Sequence, residues 1–435
     1  MLTHHKHCRQ LLSAGLSLLL ATHAISSNAA TTALVAARII DGVSSQALAA
    51  TTIIVDDNKI TAIGQRDIIP AHATVIDLGD ATLLPGFIDS HTHPFIHGED
   101  YQATALQNSS AYKSLRALNS TQKLLKAGWT SMRIMGDADT AYGPVDLKRA
   151  INEGLFVGPR LSVAPHYLSI TGGGGDVNYY SHEQTITPDG LIVDGPEEIR
   201  KAIRQEAKYG ADWIKVLVTG AFHAAGNNPK NVHFSPEELA AIMAEANRQG
   251  LPVAAHAHAN EGIKQAVIAG VRSIEHGTYM DDEAIRLMKK HRTFFVPTIY
   301  VGDYFYEEEK TLKAQAVNDE YYDNYRAIFL KMIGKAHKAG VKIAVGVDLG
   351  DMKYPAHVYV REMATLVEAG LSPMAAIQAG THVGAELLGW DDRLGSLAEG
   401  KLADIVAVAG NPLSDIKQLE NIKLVMLNGQ LIVQP

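Results

Sequence analysis

The 435-residue chain is 46% hydrophobic and 20% charged, with a formal net charge of -8. That length accommodates a large core, at ~150 residues per domain or as one long α/β barrel with a small second domain; the composition excludes disordered and fibrous classes. Acidic residues are scattered and no Lys/Arg-rich block marks a phosphate-binding surface, so no nucleic-acid partner is expected.

Residues 1–29 have the order of an export leader. Lys6 and Arg9 sit in a polar start, Leu11 to Ala21 are mostly apolar, and small residues end at Ser27-Asn28-Ala29. This order predicts a secretory signal peptide and a periplasmic or secreted mature chain. The apolar stretch is shorter than the ~20 residues a membrane span needs, so no membrane contact is expected after cleavage. The single cysteine, Cys8, lies inside the leader and precedes its apolar stretch. Neither a disulfide nor a lipoprotein anchor is therefore expected.

From about Thr32 to Leu84, β-branched runs such as Leu34–Ile40, Thr52–Val55 and Ala73–Ile76 alternate with turns at Gly, Asp and Asn. The same texture returns at Asp404–Val408, Leu424–Leu427 and Leu431–Val433, with Asn428-Gly429 as a hairpin turn. The two ends are expected to pair as a small β-sandwich domain over residues 30–84 and 394–435. Between them, eight apolar runs alternate with amphipathic helices: Leu84–His93, Ser131–Met135, Arg160–Ala164, Trp213–Val218, Val253–His258, Ser273–His276, Phe294–Ile299 and Ile343–Asp348. Alternation of this kind predicts an α/β fold, a (β/α)8 TIM barrel over residues 85–393. Ser235-Pro236-Glu237-Glu238 and Ser372-Pro373 mark helix starts. Gly172-Gly173-Gly174-Gly175 reads as a loop after the third run.

His91 and His93 are two apart on one strand, so both imidazoles can face one ion. Alone, such a pair is as consistent with packing. Lys215, His256, His276 and Asp348 add polar groups toward the ends of other runs, and in a barrel those ends converge on the face that carries active sites. Neutral imidazoles and carboxylates are zinc ligands.

Leu84-Pro85-Gly86-Phe87-Ile88-Asp89-Ser90-His91-Thr92-His93 resembles the opening signature of the metal-dependent amidohydrolase superfamily, and Leu394-Gly395-Ser396-Leu397-Ala398-Glu399-Gly400-Lys401-Leu402-Ala403-Asp404 resembles its return into the β-domain. Trp213-Ile214-Lys215-Val216, Val253–Ala259 and Ile274-Glu275-His276-Gly277 are similar to the prolidase-related, Xaa-Pro dipeptidase-like branch, whose members hydrolyse dipeptides and N-acyl amino acids. The segment Pro165–Asp176 is similar to exported, ochratoxin-hydrolysing amidohydrolases.

The resemblance implies two zinc ions bridged by a carboxylated Lys215, with His91, His93 and Asp348 on one ion and His256 and His276 on the other. It further implies cleavage of a small-molecule amide or dipeptide by a metal-bridging hydroxide, with Asp348 as general base and then general acid, and assembly as a homo-oligomer. Without its neighbours, Lys215 reads as a strand-end lysine in a salt bridge.

His166, Tyr167 and His258 are candidates for contacting substrate, with His258 open as a third imidazole; His166 and Tyr167 read equally well as loop structure. His223 and His357 rank below them, and His97, His182 and His233 read as surface residues. Related dipeptidases carry His in the loop where Gly174 stands, so Gly174 is expected to leave room for a bulkier acyl group. Two other readings remain: the same metal site acting on a cyclic amide, lactone or phosphotriester, and a non-catalytic barrel scaffold.

Overall fold

The computed structural model describes residues 31–97, 101–222, 224, 226–312, 319–350 and 356–435. The leader with Cys8, and His223, lie outside these residues.

β-branched runs from both ends of the chain build two sheets. One has the strand order Lys59–Gly64, Thr52–Asp56, Thr32–Val35, Thr74–Asp77. The other runs Gln430–Val433, Ile422–Leu427, Ile405–Ala409, Ala81–Pro85, Arg38–Ile39. Leu34, Ile53, Ile60, Leu83, Ile405 and Met426 share one buried cluster, so the sheets pack through their aliphatic faces.

Ile405 pairs antiparallel with Pro85 and Val406 with Leu84, which places those residues in the terminal sheet. The run expected to open at Leu84 therefore begins at Phe87. Gly86 separates the two strands, and a Cβ there would stand 2.1 Å from Thr130 Oγ1. Only glycine lets the chain pass between sheets at this point.

Phe87–Thr92, Trp129–Met135 and Arg160–Ala164 pair in parallel. So do Ile214–Leu217, Val253–Ala257, Ser273–His276 and Phe294–Val296, with Tyr167–Ser169 and then Leu191–Ile192 on the free side of the first of these. Pro165 has no amide hydrogen and divides the third run from Tyr167–Ser169. The two parallel sheets still meet, because the amide of Asp212 donates to the Val163 carbonyl at 2.7 Å.

On the opposite side, Ile343–Asp348 lies between the last parallel strand and the first. Ala344 N donates to Phe295 O at 2.9 Å, Ser90 N to Val345 O at 2.8 Å and Asp348 N to His91 O at 2.7 Å. Asp89 reinforces the seam by accepting the amides of His91 and Val347, each at 3.0 Å. The chain is thus a mixed α/β protein with parallel sheet.

The connecting helices bury one face, as Pro196–Lys208 does with Ile199, Ala202, Ile203 and Glu206. Two begin at the expected signals. Ser235 accepts from Glu238 N while the Glu238 side chain accepts from Ser235 N, and Ser372 accepts from Ala375 N. Among the described residues no helix is long and apolar enough to cross a membrane.

Candidate metal centre

Because side chains alternate along a strand, His91 and His93 leave the first parallel strand and its end on one side. Their Nε2 atoms stand 3.1 Å apart, and Asp348 Oδ1 lies 3.3 Å from the first and 3.0 Å from the second. His91, His93 and Asp348 form one group whose ligand atoms could share an ion; His256, His258 and His276 form another. Lys215 Nζ lies 3.2 Å from His91 Nε2. His91 and His276 rings are 5.1 Å apart, so the two groups adjoin.

Each imidazole has one nitrogen turned to a partner outside the two ligand groups. His91 Nδ1 meets Glu275 Oε2 at 2.7 Å, His93 Nδ1 meets the Gly136 carbonyl at 2.6 Å, and His256 Nε2 meets the Gly220 carbonyl at 3.2 Å. Threonine hydroxyls serve the rest, with 2.7 Å separating His258 Nδ1 from Thr278 and the same distance separating His276 Nδ1 from Thr298. A ring nitrogen that donates outward fixes the tautomer and leaves the other lone pair for a cation.

Electrostatics favour the neutral species at His91, His256 and His276, whereas at His93 burial is outweighed by Asp348 and Asp137, which raise its pKa. Burial, and then the Lys215 charge, push His91 well below the usual imidazole range and His256 down to about 3. Burial and the neighbouring imidazoles lower His276 as well. Burial lowers Lys215 to about 8 against the opposing pull of Glu275 and Asp348. For Asp348, burial alone would raise the carboxyl, but His91, His93 and Lys215 outweigh it and hold the group well below the usual carboxylate range. Neutral imidazoles facing a carboxylate are a donor set for a divalent metal.

Backbone strain is concentrated here. His276 (φ 70°), Thr298 (φ 51°) and Asp348 (φ 59°) are non-glycine residues in the left-handed region. Such conformations cost about 1–3 kcal/mol each and persist where the surroundings over-determine them. Glu362 does so for Thr298: fully buried, it accepts the amides of Ile299 at 3.2 Å and Tyr300 at 2.7 Å, fixing the turn that aims Thr298 at His276.

The structure brings together all six residues expected as metal ligands and sets His258 among them. His258 stacks on His276 at 4.9 Å. His166 has a carboxylate partner of its own. Its Nδ1 lies 3.0 Å from Glu206 on the helix Pro196–Lys208, and the same carboxylate accepts from Tyr142. The Tyr167 hydroxyl is hydrogen-bonded to the buried Asp189 and to Tyr101.

His182 and His357 are exposed, but His97 is buried and His233 half-buried, contrary to the surface reading. His97 follows a turn that packs beneath Gly350, where a Cβ would stand 2.4 Å from the Ile96 carbonyl. A Cβ on Gly174 would approach Ala221 Cβ at 3.2 Å and Leu217 Cδ1 at 3.3 Å, so a side chain at this position would need both neighbours to give by a few tenths of an ångström.

Arg133, Glu275, Thr298 and Glu362 support the centre without belonging to any sequence motif of ligands. A signal existed for two of them: Arg133 and Glu275 are charges inside runs otherwise made for burial, and fully buried charges need partners. Thr298 and Glu362 carry no comparable mark.

A parallel α/β sheet whose strand ends gather buried imidazoles, a carboxylate and a lysine defines a metal-dependent hydrolase. The chain belongs to the Amidohydrolase family, whose model matches residues 82–432. Ochratoxinase of Aspergillus niger is 32% identical over 402 residues, covering 86% of this chain and 80% of that protein. Among solved structures, a Xaa-Pro dipeptidase with bound methionine in the active site is 36% identical at a TM-score of 0.83, covering 92% of this chain and 99% of the other. The crystal structure of the Aspergillus niger ochratoxinase has a TM-score of 0.79 at 31% identity, covering 94% and 96% respectively. These neighbours imply a TIM-barrel-like α/β fold, and the protein is a metal-dependent hydrolase of amide bonds.

Proposed function

We propose that the protein cleaves the amide of a dipeptide or N-acyl amino acid at a binuclear zinc centre built on a closed (β/α)8 barrel, with the two terminal sheets as an accompanying β-sandwich domain. The observation that carries this reading is that the two ligand groups adjoin through His91 and His276, with Lys215 Nζ 3.2 Å from His91 Nε2. His91, His93 and Asp348 would hold one ion, His256 and His276 the other, and a carboxylated Lys215 both. Burial lowers the Lys215 pKa to about 8, which favours the neutral amine that carboxylation requires. The modification turns a cation into an anionic oxygen donor, removing positive charge from beside His91.

Bound zinc ions would lower the pKa of water toward neutrality and polarise the scissile carbonyl. Asp348 accepts the proton shed by the attacking water and returns it to the departing amide nitrogen, which is otherwise a poor leaving group. Its carboxylate lies 3.3 Å from His91 Nε2 and 3.0 Å from His93 Nε2, so it faces the centre from the position a base needs. Glu275 and Thr298 hold the His91 and His276 rings in orientation. His258 orients substrate or serves as a third imidazole of its group.

The reading includes export after cleavage near Ala29, supported by the order of charged, apolar and small residues in the leader. The test is hydrolysis of a panel of dipeptides and N-acyl amino acids, ochratoxin A included, with metal content measured on the same preparation. Near-stoichiometric zinc with turnover of at least one amide is expected. A metal-free protein, or turnover confined to lactones or phosphotriesters, contradicts the proposal.

A further inference from the structure

Gly136, Gly175 and Gly190 leave a slot that the Tyr167 ring fills. A Cβ on Gly136 would stand 2.4 Å from Tyr167 Cδ1, one on Gly175 2.7 Å from Cε2, and one on Gly190 3.0 Å from Cδ2. At Gly136 and Gly175 only the missing side chain lets the ring lie against the backbone.

The glycines belong to two different parts of the site. Gly136 follows the strand Trp129–Met135, and its carbonyl meets His93 Nδ1 at 2.6 Å. Gly175 and Gly190 form the neck of the loop 176–189, where Gly190 N donates to Gly175 O at 3.1 Å. Both ends of that loop meet Gln102 Nε2, the Asp176 carbonyl at 3.2 Å and Asp189 Oδ1 at 3.4 Å. The Tyr167 hydroxyl donates to the Asp189 carboxylate, and both residues are buried. One ring therefore bridges the loop neck and the carbonyl behind a proposed metal ligand.

The single hydroxyl proton of Tyr167 is given to Asp189, so the residue supports its neighbours instead of donating to a substrate. A close-packed interior transmits displacement, and the acceptor that holds an imidazole's outer nitrogen sets the aim of the inner one.

We propose that Tyr167 is a positioning residue for the metal centre. Its ring holds the Gly136 carbonyl against His93, and its hydroxyl locks the ring to the loop 176–189, so that the loop and the ligand group of His91, His93 and Asp348 steady one another. This inference rests on the binuclear reading and extends it to residues that touch no ligand atom.

The test measures the zinc affinity of the intact protein by chelator competition, with His93→Ala identifying which of the two dissociation constants belongs to the ion that His93 would hold. In Tyr167→Leu that constant should rise about tenfold, the lower end of what loss of an outer partner produces, while the other stays within about twofold of wild type. Tyr167→Phe keeps the ring and loses the hydroxyl. It should restore both constants and raise KM for the best amide substrate of the panel with little change in kcat, because only the loop is freed. Should Tyr167→Leu fail to fold by circular dichroism, Tyr167→Met provides the same comparison.

Two unchanged constants in folded Tyr167→Leu overturn the inference, and so does a parallel rise in both, which marks a general loosening of the fold. An unchanged KM in Tyr167→Phe overturns the link to the loop. Each of these results leaves the binuclear reading intact, whereas a wild-type protein that binds no zinc overturns both.

Discussion

The Glu275 carboxylate faces His91 Nδ1 at 2.7 Å while also accepting both oxygens' worth of contact from Arg133 Nη2, at 2.9 and 3.0 Å. Arg133 and Glu275 are both wholly buried, and the guanidinium lies 4.6 Å from the Trp213 ring. A fully desolvated ion pair thus stands behind a proposed metal ligand.

Breaking that pair from one side leaves an uncompensated buried charge. Arg133→Met is expected to destabilise the fold by about 3–5 kcal/mol. Glu275→Gln keeps the shape and should weaken zinc binding about 10–100-fold, because an outer hydrogen-bond partner of a ligand is lost. Denaturant unfolding measures the first and chelator competition the second. Unchanged zinc affinity in folded Glu275→Gln would remove Glu275 from the support of His91.

Asp348→Asn should lower kcat by about 10²-fold or more, the contribution of a positioned proton-transfer group, while the circular dichroism spectrum stays that of the wild type. Turnover at the wild-type rate would show that the proton travels elsewhere.

Glu362 gives a pH signature to stability. Burial raises its pKa from the ordinary carboxyl value of 4.5 to about 8, against the opposing effect of the Tyr300 and Ile299 amides. Between those values the folded protein binds the proton and the unfolded chain does not, so this group's contribution falls as pH rises from about 4.5 to about 8. Thermal melts of wild type and Glu362→Gln from pH 5 to pH 8 should show wild-type stability declining relative to the variant. Parallel curves would rule out the proton linkage.

Ser235→Ala removes one half of the capping box on the helix Pro236–Gln249. A loss of about 1 kcal/mol is expected, with kcat/KM unaltered, since the cap touches none of the proposed ligands. Denaturant melts and steady-state rates on one preparation check both halves.

The ligand positions were legible because chemistry and periodicity coincide there: His91 and His93 are separated by one residue on a strand, and Lys215 interrupts an apolar run. The support behind them was not, because it depends on register between distant segments. Arg133 meets Glu275 across 142 positions, and neither Thr298 nor Glu362 announces a bent backbone at Thr298. Pro165 did signal a break, but not that the chain would resume at Tyr167 against Lys215. The boundary between the strands Ala81–Pro85 and Phe87–Thr92 is hidden in the sequence because hydrophobicity continues through Pro85 and Gly86, and only Val406 and Ile405, the partners of Leu84 and Pro85, separate the two.

The pairing of Ala81–Pro85 with Ile405–Ala409 has a consequence for biogenesis. The early strand leaves the ribosome long before its partner is made, and until then its edge amides on that side have only water or a chaperone to meet. Completion of the terminal sheet is therefore a late event, reached only when the whole polypeptide is available. A prematurely terminated chain would keep the proposed ligand residues and still present a sticky, unmatched edge to quality control.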